Sequence, residues 1–75
     1  MSAAPPSQAW RRTSGGYTRY VRTTAAKSYF CLICRRADAI QYGDRTLVRA
    51  SDNAGRICLG CEPRAGLLDA NFAPL

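Results

Sequence analysis

Hydrophobic and polar positions follow no long periodic pattern in this chain, so the regular elements that they predict are short. Residues 1–16 have Trp10 as their only large apolar side chain after Met1, and we expect this segment to be disordered in the free protein. Tyr17 to Thr24 is rich in β-branched and aromatic residues. Its arginines fall on both faces of the alternation, so it is either a short strand or an extended arm that orders on a partner.

From Ser28 onward the pattern becomes tighter and predicts a small folded unit. Apolar and β-branched residues at 39–42 and 46–49 flank a turn at Gly43, which indicates a hairpin of two short strands. A second turn at 51–55 returns the chain to Ile57. The apolar residues Leu32, Ile33, Ile57, Leu59, Leu67, Leu68 and Phe72 are expected to form the core or a partly covered apolar surface.

The last third of the chain predicts one short helix. Glu62 and Pro63 follow Cys61, and an acid and a proline are favoured in the first turn of a helix. We expect this helix to end near Phe72, before Pro74. Gly66 costs it about 1 kcal/mol relative to alanine, so docking must stabilise it.

Four cysteines provide the strongest chemical signal. They form the pairs Cys31-Leu-Ile-Cys34 and Cys58-Leu-Gly-Cys61 in a chain of 75 residues, which is too short to be stabilised by its core alone. This spacing predicts a Cys₄ site for one structural Zn²⁺. Metal binding would then supply on the order of 10 kcal/mol of folding free energy. Two disulfides or a mononuclear iron site remain alternatives.

The beginning of the chain and its hydropathy bear on the compartment. Residues 1–7 show neither the basic nor the apolar region of a secretory signal. The Cys-rich region has no run near the ~20 apolar residues of a membrane span. We therefore expect a cytoplasmic protein without membrane contact, and in a reducing compartment paired cysteines bind metal more often than they form disulfides.

The order of these features resembles a known class of zinc domain. The run from Phe30 to Cys34, a hairpin, and the run from Gly55 to Cys61 before a helix resemble the treble-clef class, similar in layout to the N-terminal zinc-binding domain of the ClpX unfoldase. The resemblance implies a small metal-stabilised α+β fold that docks proteins or binds nucleic acid. Zinc ribbons usually have glycine after the second cysteine of each pair, whereas Arg35 and Glu62 stand there, which disfavours an all-β ribbon.

Charge divides the chain into two parts. The net charge is +6, and residues 1–30 contain five basic residues and no acid. We therefore predict a flexible basic arm over 1–27 and a Cys₄ domain over 28–75. Arginines that meet phosphates and aromatic rings that stack on bases are typical of nucleic-acid binding. The expected contact residues are Trp10, Arg11, Arg12, Tyr17, Arg19, Tyr20, Arg22 and Lys27.

These features favour a binding module over an enzyme. The chain has no histidine, a closed thiolate shell leaves no site for substrate water, and no acid/base pair is apparent. The first hypothesis is a transcription-associated or ribonucleoprotein accessory factor. The alternatives are an adaptor that docks on a larger machine, such as RNA polymerase, an unfoldase or a virion assembly, a self-associating domain, and a tail without a partner. Arg35 and Arg36 either offset the charge of the metal site or are solvated.

Overall fold

A five-stranded antiparallel sheet is the frame of the molecule in the computed structural model, which describes residues 6–75. The strands are β1 (Gln8–Thr13), β2 (Gly16–Thr24), β3 (Arg45–Arg49), β4 (Arg56–Ile57) and β5 (Leu67–Leu68), and one 3-10 helix spans Leu59–Arg64. The order of the strands in the sheet is β4-β3-β2-β1-β5. The fold is therefore mostly β, and the predicted α+β architecture is confirmed only in its strands and in one short helical turn.

The predicted basic arm forms the middle of this sheet. β1 and β2 make a hairpin whose last pair joins Thr13 to Gly16 across a two-residue turn, and β2 pairs with β3 from Tyr20 to Thr24. The structure therefore differs from the expected boundary between residues 27 and 28, because residues 8–13 and 16–24 of the expected arm form strands of the sheet. Residues 1–5 of the expected arm lie outside the described residues.

The two faces of the sheet have different surroundings. The side that we call the inner face carries Ala9, Tyr20, Leu47, Ile57 and Leu67, and it packs against Cys31, Cys61 and Ala65 as one buried cluster. The opposite side, the outer face, carries the alternate residues of β1 and β2. Because the inner face covers the cysteines, the sheet and the candidate metal site share one core.

The hairpin predicted around Gly43 is wrong in its first strand. Ile40 forms a single bridge with Tyr29 and is buried, whereas Tyr42 is 79% exposed. β3 pairs instead with β2 and β4. Ala39 packs against the core and Ile40 is buried, but Gln41 and Tyr42 face solvent and the segment does not extend the sheet. The hairpin between the cysteine pairs is β3–β4.

The predicted helix after Cys61 is also wrong in most of its length. The 3-10 helix ends at Arg64, and Gly66 adopts a left-handed φ of 70° that leaves the helical path. Leu67 and Leu68 then pair with β1. These two leucines fit a helix face equally well by sequence, but the free edge of β1 offers them backbone hydrogen bonds.

None of the helical structure within residues 6–75 has the length and hydropathy that a membrane-spanning helix needs.

Candidate metal centre and basic face

The four cysteines lie together, as their spacing predicts. Their Sγ atoms all lie within 4.8 Å of one another, and all four are free thiols. Four sulfurs about 2.3 Å from one tetrahedral zinc ion would be about 3.8 Å apart. Cys31 and Cys61 are buried, and Cys34 and Cys58 are partly exposed. The cluster thus has the size and the donor set of a closed thiolate metal site.

The first cysteine pair forms a tight turn around the sulfur of Cys31. The backbone N–H of Ile33 donates to this Sγ over 3.4 Å, and the N–H of Arg35 donates to the Cys31 carbonyl over 2.8 Å. Arg35 closes the turn with a φ of 60°. The absence of glycine here was expected to disfavour an all-β ribbon, but Arg35 itself adopts the left-handed conformation that glycine usually supplies, so this turn does not count against a ribbon.

The second pair is built differently, on the 3-10 helix. The N–H of Cys61 donates to the carbonyl of Cys58 over 3.0 Å, so the two sulfurs lie on one side of a helical turn. The N–H of Cys58 donates to the Cys31 sulfur over 3.4 Å. The second pair therefore stabilises a thiolate on the first pair.

The surroundings of the sulfurs give Cys31 and Cys58 different pKa values. Burial opposes ionisation of Cys31, but hydrogen bonds from the N–H groups of Cys58, Cys34 and Ile33 outweigh it and lower the pKa of Cys31 to about 6. Burial, together with hydrogen bonds to Cys61 and Cys31, raises the pKa of Cys58 to about 12. One thiolate is therefore formed at neutral pH before a cation binds, which favours metal capture.

The arginine that contacts the cluster is Arg64. Its Nη2 donates to the Cys61 sulfur over 3.6 Å, and this bond raises the pKa of Arg64. Arg35 and Arg36, expected to be possible partners of the site, have exposed side chains, and neither donates to a cysteine sulfur among the described contacts. Sequence reasoning missed Arg64, although residues three apart lie on the same side of a 3-10 helix.

A buried ion pair joins the 3-10 helix, which carries Cys61, to strand β2 of the sheet. Both terminal nitrogens of Arg22 donate to Glu62, over 2.5 and 2.7 Å, and the side chains are 2% and 12% exposed. The Arg22 Nε donates to the carbonyl of Pro6 over 3.0 Å. Arg22 was expected to contact nucleic acid, but its Nε and both terminal nitrogens donate hydrogen bonds within the protein.

Two further residues of the expected nucleic-acid set point to the inner face. The Nε of Arg11 donates to the carbonyl of Ala65 over 3.0 Å, and Tyr20 is only 3% exposed. These contacts explain why polar and apolar residues alternate poorly along the sequence of the arm. Arg11 and Arg22 occupy inner positions where acceptors from the end of the chain satisfy them.

Four members of the set lie together on the outer face. Trp10 pairs across the strands with Arg19, and Arg12 pairs with Tyr17, so the four side chains share one side of the hairpin. We call them the basic face. Arg12, Tyr17 and Arg19 are exposed and Trp10 is partly exposed. Lys27 lies outside the sheet and is exposed, with its Nζ 5.6 Å from the ring centroid of Tyr29.

Phe72 adds a third ring to the basic face. It stacks on Tyr17, with 4.2 Å between ring centroids and 26° between ring planes, and it meets Trp10 edge-on at 6.1 Å. Phe72 and Tyr17 are 47% and 48% exposed, so about half of each side chain faces solvent. The sequence placed Phe72 at the end of a helix and gave no signal for this contact.

Comparison with known proteins gives no relative: no protein-family model, no curated protein and no solved structure matches this chain.

Proposed function

We propose that this protein is a non-enzymatic zinc module that binds nucleic acid through the basic face, as an accessory factor of a transcription or ribonucleoprotein machine. The observation that carries the proposal is the cross-strand pairing of Trp10 with Arg19 and of Arg12 with Tyr17. It arranges two guanidinium groups and two rings on one exposed side of a β-ribbon.

The chemistry of this side suits a polyanion. Residues 8–24 contain no acidic residue, so no carboxylate in the hairpin competes with phosphate for Arg12 or Arg19. Arg19 makes one neutral contact, a 3.2 Å hydrogen bond to the amide oxygen of Gln8, and its other donors are open. Guanidinium groups bind phosphates and release counterions, while aromatic rings stack on unpaired bases regardless of sequence.

The metal has a structural role in this proposal. Four thiolates in a closed shell favour Zn²⁺ and leave no position for a reacting water. The cysteines pack against the inner face of the same sheet whose outer face carries Trp10 and Arg19. Zinc would therefore hold the basic face in shape without touching the nucleic acid.

Binding to a fluorescein-labelled single-stranded oligonucleotide, followed by anisotropy at several salt concentrations, tests the proposal. The double variant R12A/R19A removes two charges from the basic face. Its control, R36A/R45A, removes two exposed charges elsewhere. Loss of two phosphate contacts should lower the slope of log affinity against log salt by about 1.4, at ~0.7 per contact on a single strand.

Equal affinities and equal slopes for the two double variants would overturn the proposal. Nucleic-acid binding would then depend only on the net charge of the protein, and the basic face would have no special role. If neither variant nor the native protein binds nucleic acid, the adaptor hypothesis replaces this one. A nuclease-resistant protein partner would then be the expected finding.

A further inference from the structure

A second feature of the surface is a cleft beside the first cysteine pair, at the β4 edge of the sheet, where the N–H of Leu32 donates to the carbonyl of Arg56. It is lined mostly by apolar atoms, and we call it the knuckle cleft; its residues are Tyr29, Phe30, Leu32, Asn53, Ala54, Gly55 and Arg56. Phe30 is 51% exposed although it directly precedes buried Cys31. The close approach of its walls depends on Gly55, because a Cβ there would lie 2.9 Å from Leu32 Cδ2.

One polar group in the wall of this cleft has no partner. The Arg56 guanidinium stacks on the Tyr29 ring, with Cζ 3.6 Å from the centroid. Among the buried side-chain nitrogens and oxygens of the described residues, only the Nη1 of Arg56 lacks a hydrogen-bond partner. Buried donors are nearly always paired, so a shift of the Tyr29 ring that brings this closed Nη1 to the acceptor of a ligand would be favoured.

The cleft lies close to the basic face, although the buried side chain of Val48 separates the two. Arg56 pairs with Val48, Val48 pairs with Val21, and Val21 pairs with Gln8, so this row of residues faces the same side as Trp10 and Arg19. Arg56 lies two strands away from Arg19 and two residues along, or roughly 12 Å between Cα atoms. A strand held by Arg19 can therefore reach the cleft.

We infer that the knuckle cleft binds one unpaired nucleobase, with guanine preferred, an inference that rests on the proposed function. Mostly apolar walls, whose only side-chain donors are the Arg56 guanidinium and the Asn53 amide, suit a phosphate poorly because it needs several converging donors. They suit a flat ring with an acceptor on its edge. Guanine presents O6 and N7 side by side, the acceptors that arginine pairs with most often, and Phe30 offers an exposed ring for stacking.

The test compares two strands of equal length and charge, dA₈ and the same octamer with dG at its two central positions. Zinc-loaded native protein should bind the guanine-containing strand about fivefold or more tightly. That strand should also shift the backbone amide NMR signals of Leu32, Gly55 and Arg56. F30A and R56Q should lose the preference, and F30A should keep the native salt dependence because Arg12 and Arg19 are unchanged.

The control for F30A is Y42A, which removes an aromatic ring that is 79% exposed on another loop; its guanine preference should stay native. Zinc stoichiometry and circular dichroism show whether R56Q is folded, and F30A alone decides the question if it is not. Equal binding of the two strands by native protein, or an unchanged preference in F30A, overturns the cleft assignment while Arg-dependent binding still supports the proposed function. Absence of binding to either strand overturns both.

Discussion

The Arg22–Glu62 pair yields the sharpest prediction about stability. The variant E62Q keeps the size of the side chain but removes its charge, and it leaves Arg22 buried without a counterion. Breaking one partner of a buried pair typically destabilises a protein by about 3–5 kcal/mol. The side chains here are 2% and 12% exposed, so the buried figure applies rather than the ~0–1 kcal/mol of a surface pair.

The matched double variant R22M/E62L removes both charges and fills the space with apolar atoms. Replacing a buried pair by hydrophobic residues of similar volume is often neutral or stabilising. We therefore expect R22M/E62L to be more stable than E62Q by at least about 2 kcal/mol. For 75 residues, an unfolding entropy near 2.1 cal/mol/K per residue makes each kcal/mol worth about 6 °C in Tm.

Thermal unfolding followed by far-ultraviolet circular dichroism measures both variants. Free zinc must be buffered at one value throughout, because a ligand that binds only the folded state raises Tm by mass action. A loss below about 1 kcal/mol in E62Q, or a double variant as unstable as E62Q, would refute the reasoning. Either result would mean that Arg22 finds water or another acceptor when the carboxylate is lost.

Four further predictions concern the core, the first turn, the surface and the metal. Leu47 is fully buried, so L47A should lose about 2–5 kcal/mol in urea unfolding. R35G should gain about 0.5–1 kcal/mol because glycine relieves the left-handed φ of 60°, whereas R36G, which has no such strain, should not. Hydrogen bonds from Arg49, then from a backbone N–H, hold the pKa of Asp52 below its ordinary value. The stability that this carboxylate contributes is present above its unfolded pKa and is lost as pH falls through the folded one; NMR titration should show a low midpoint in the native protein and a higher one, nearer the ordinary value, in R49A, where the bond from the Ala54 N–H remains. Chelation at neutral pH should abolish the strand signal in circular dichroism, and zinc should restore it; an unchanged spectrum would contradict a structural metal.

The sequence predicts the metal site better than the sheet, and the reason is the range of the contacts. The two Cys-x-x-Cys turns are local, and their spacing alone brings the sulfurs of each pair together. The acceptors of Arg22 and Arg11 lie 40 and 54 residues away. Without them, both arginines make the β1–β2 hairpin look too polar to be a central part of a sheet.

The prediction for the C-terminal segment was wrong for a related reason. Leu67 and Leu68 fit a helix or a strand equally well, and the choice depends on the free edge of β1, which the sequence does not reveal. Phe72 was expected in the core or on a partly covered apolar surface; it is partly covered, but against Tyr17, because the chain turns at a left-handed φ of 61°. Pairing with a distant element decides both positions, so local propensity could not find them.

The sheet joins strands from opposite ends of the chain, and this order has a consequence during synthesis. β1 leaves the ribosome first, but its partner β5 and the cysteines at 58 and 61 are made more than forty residues later. Until then the nascent chain can neither complete the four-cysteine site nor pair the free edge of β1. Metal uptake by the four cysteines would therefore be a late event, and until β5 is made the emerging hairpin has an open edge at which chaperones, or neighbouring nascent chains, can bind.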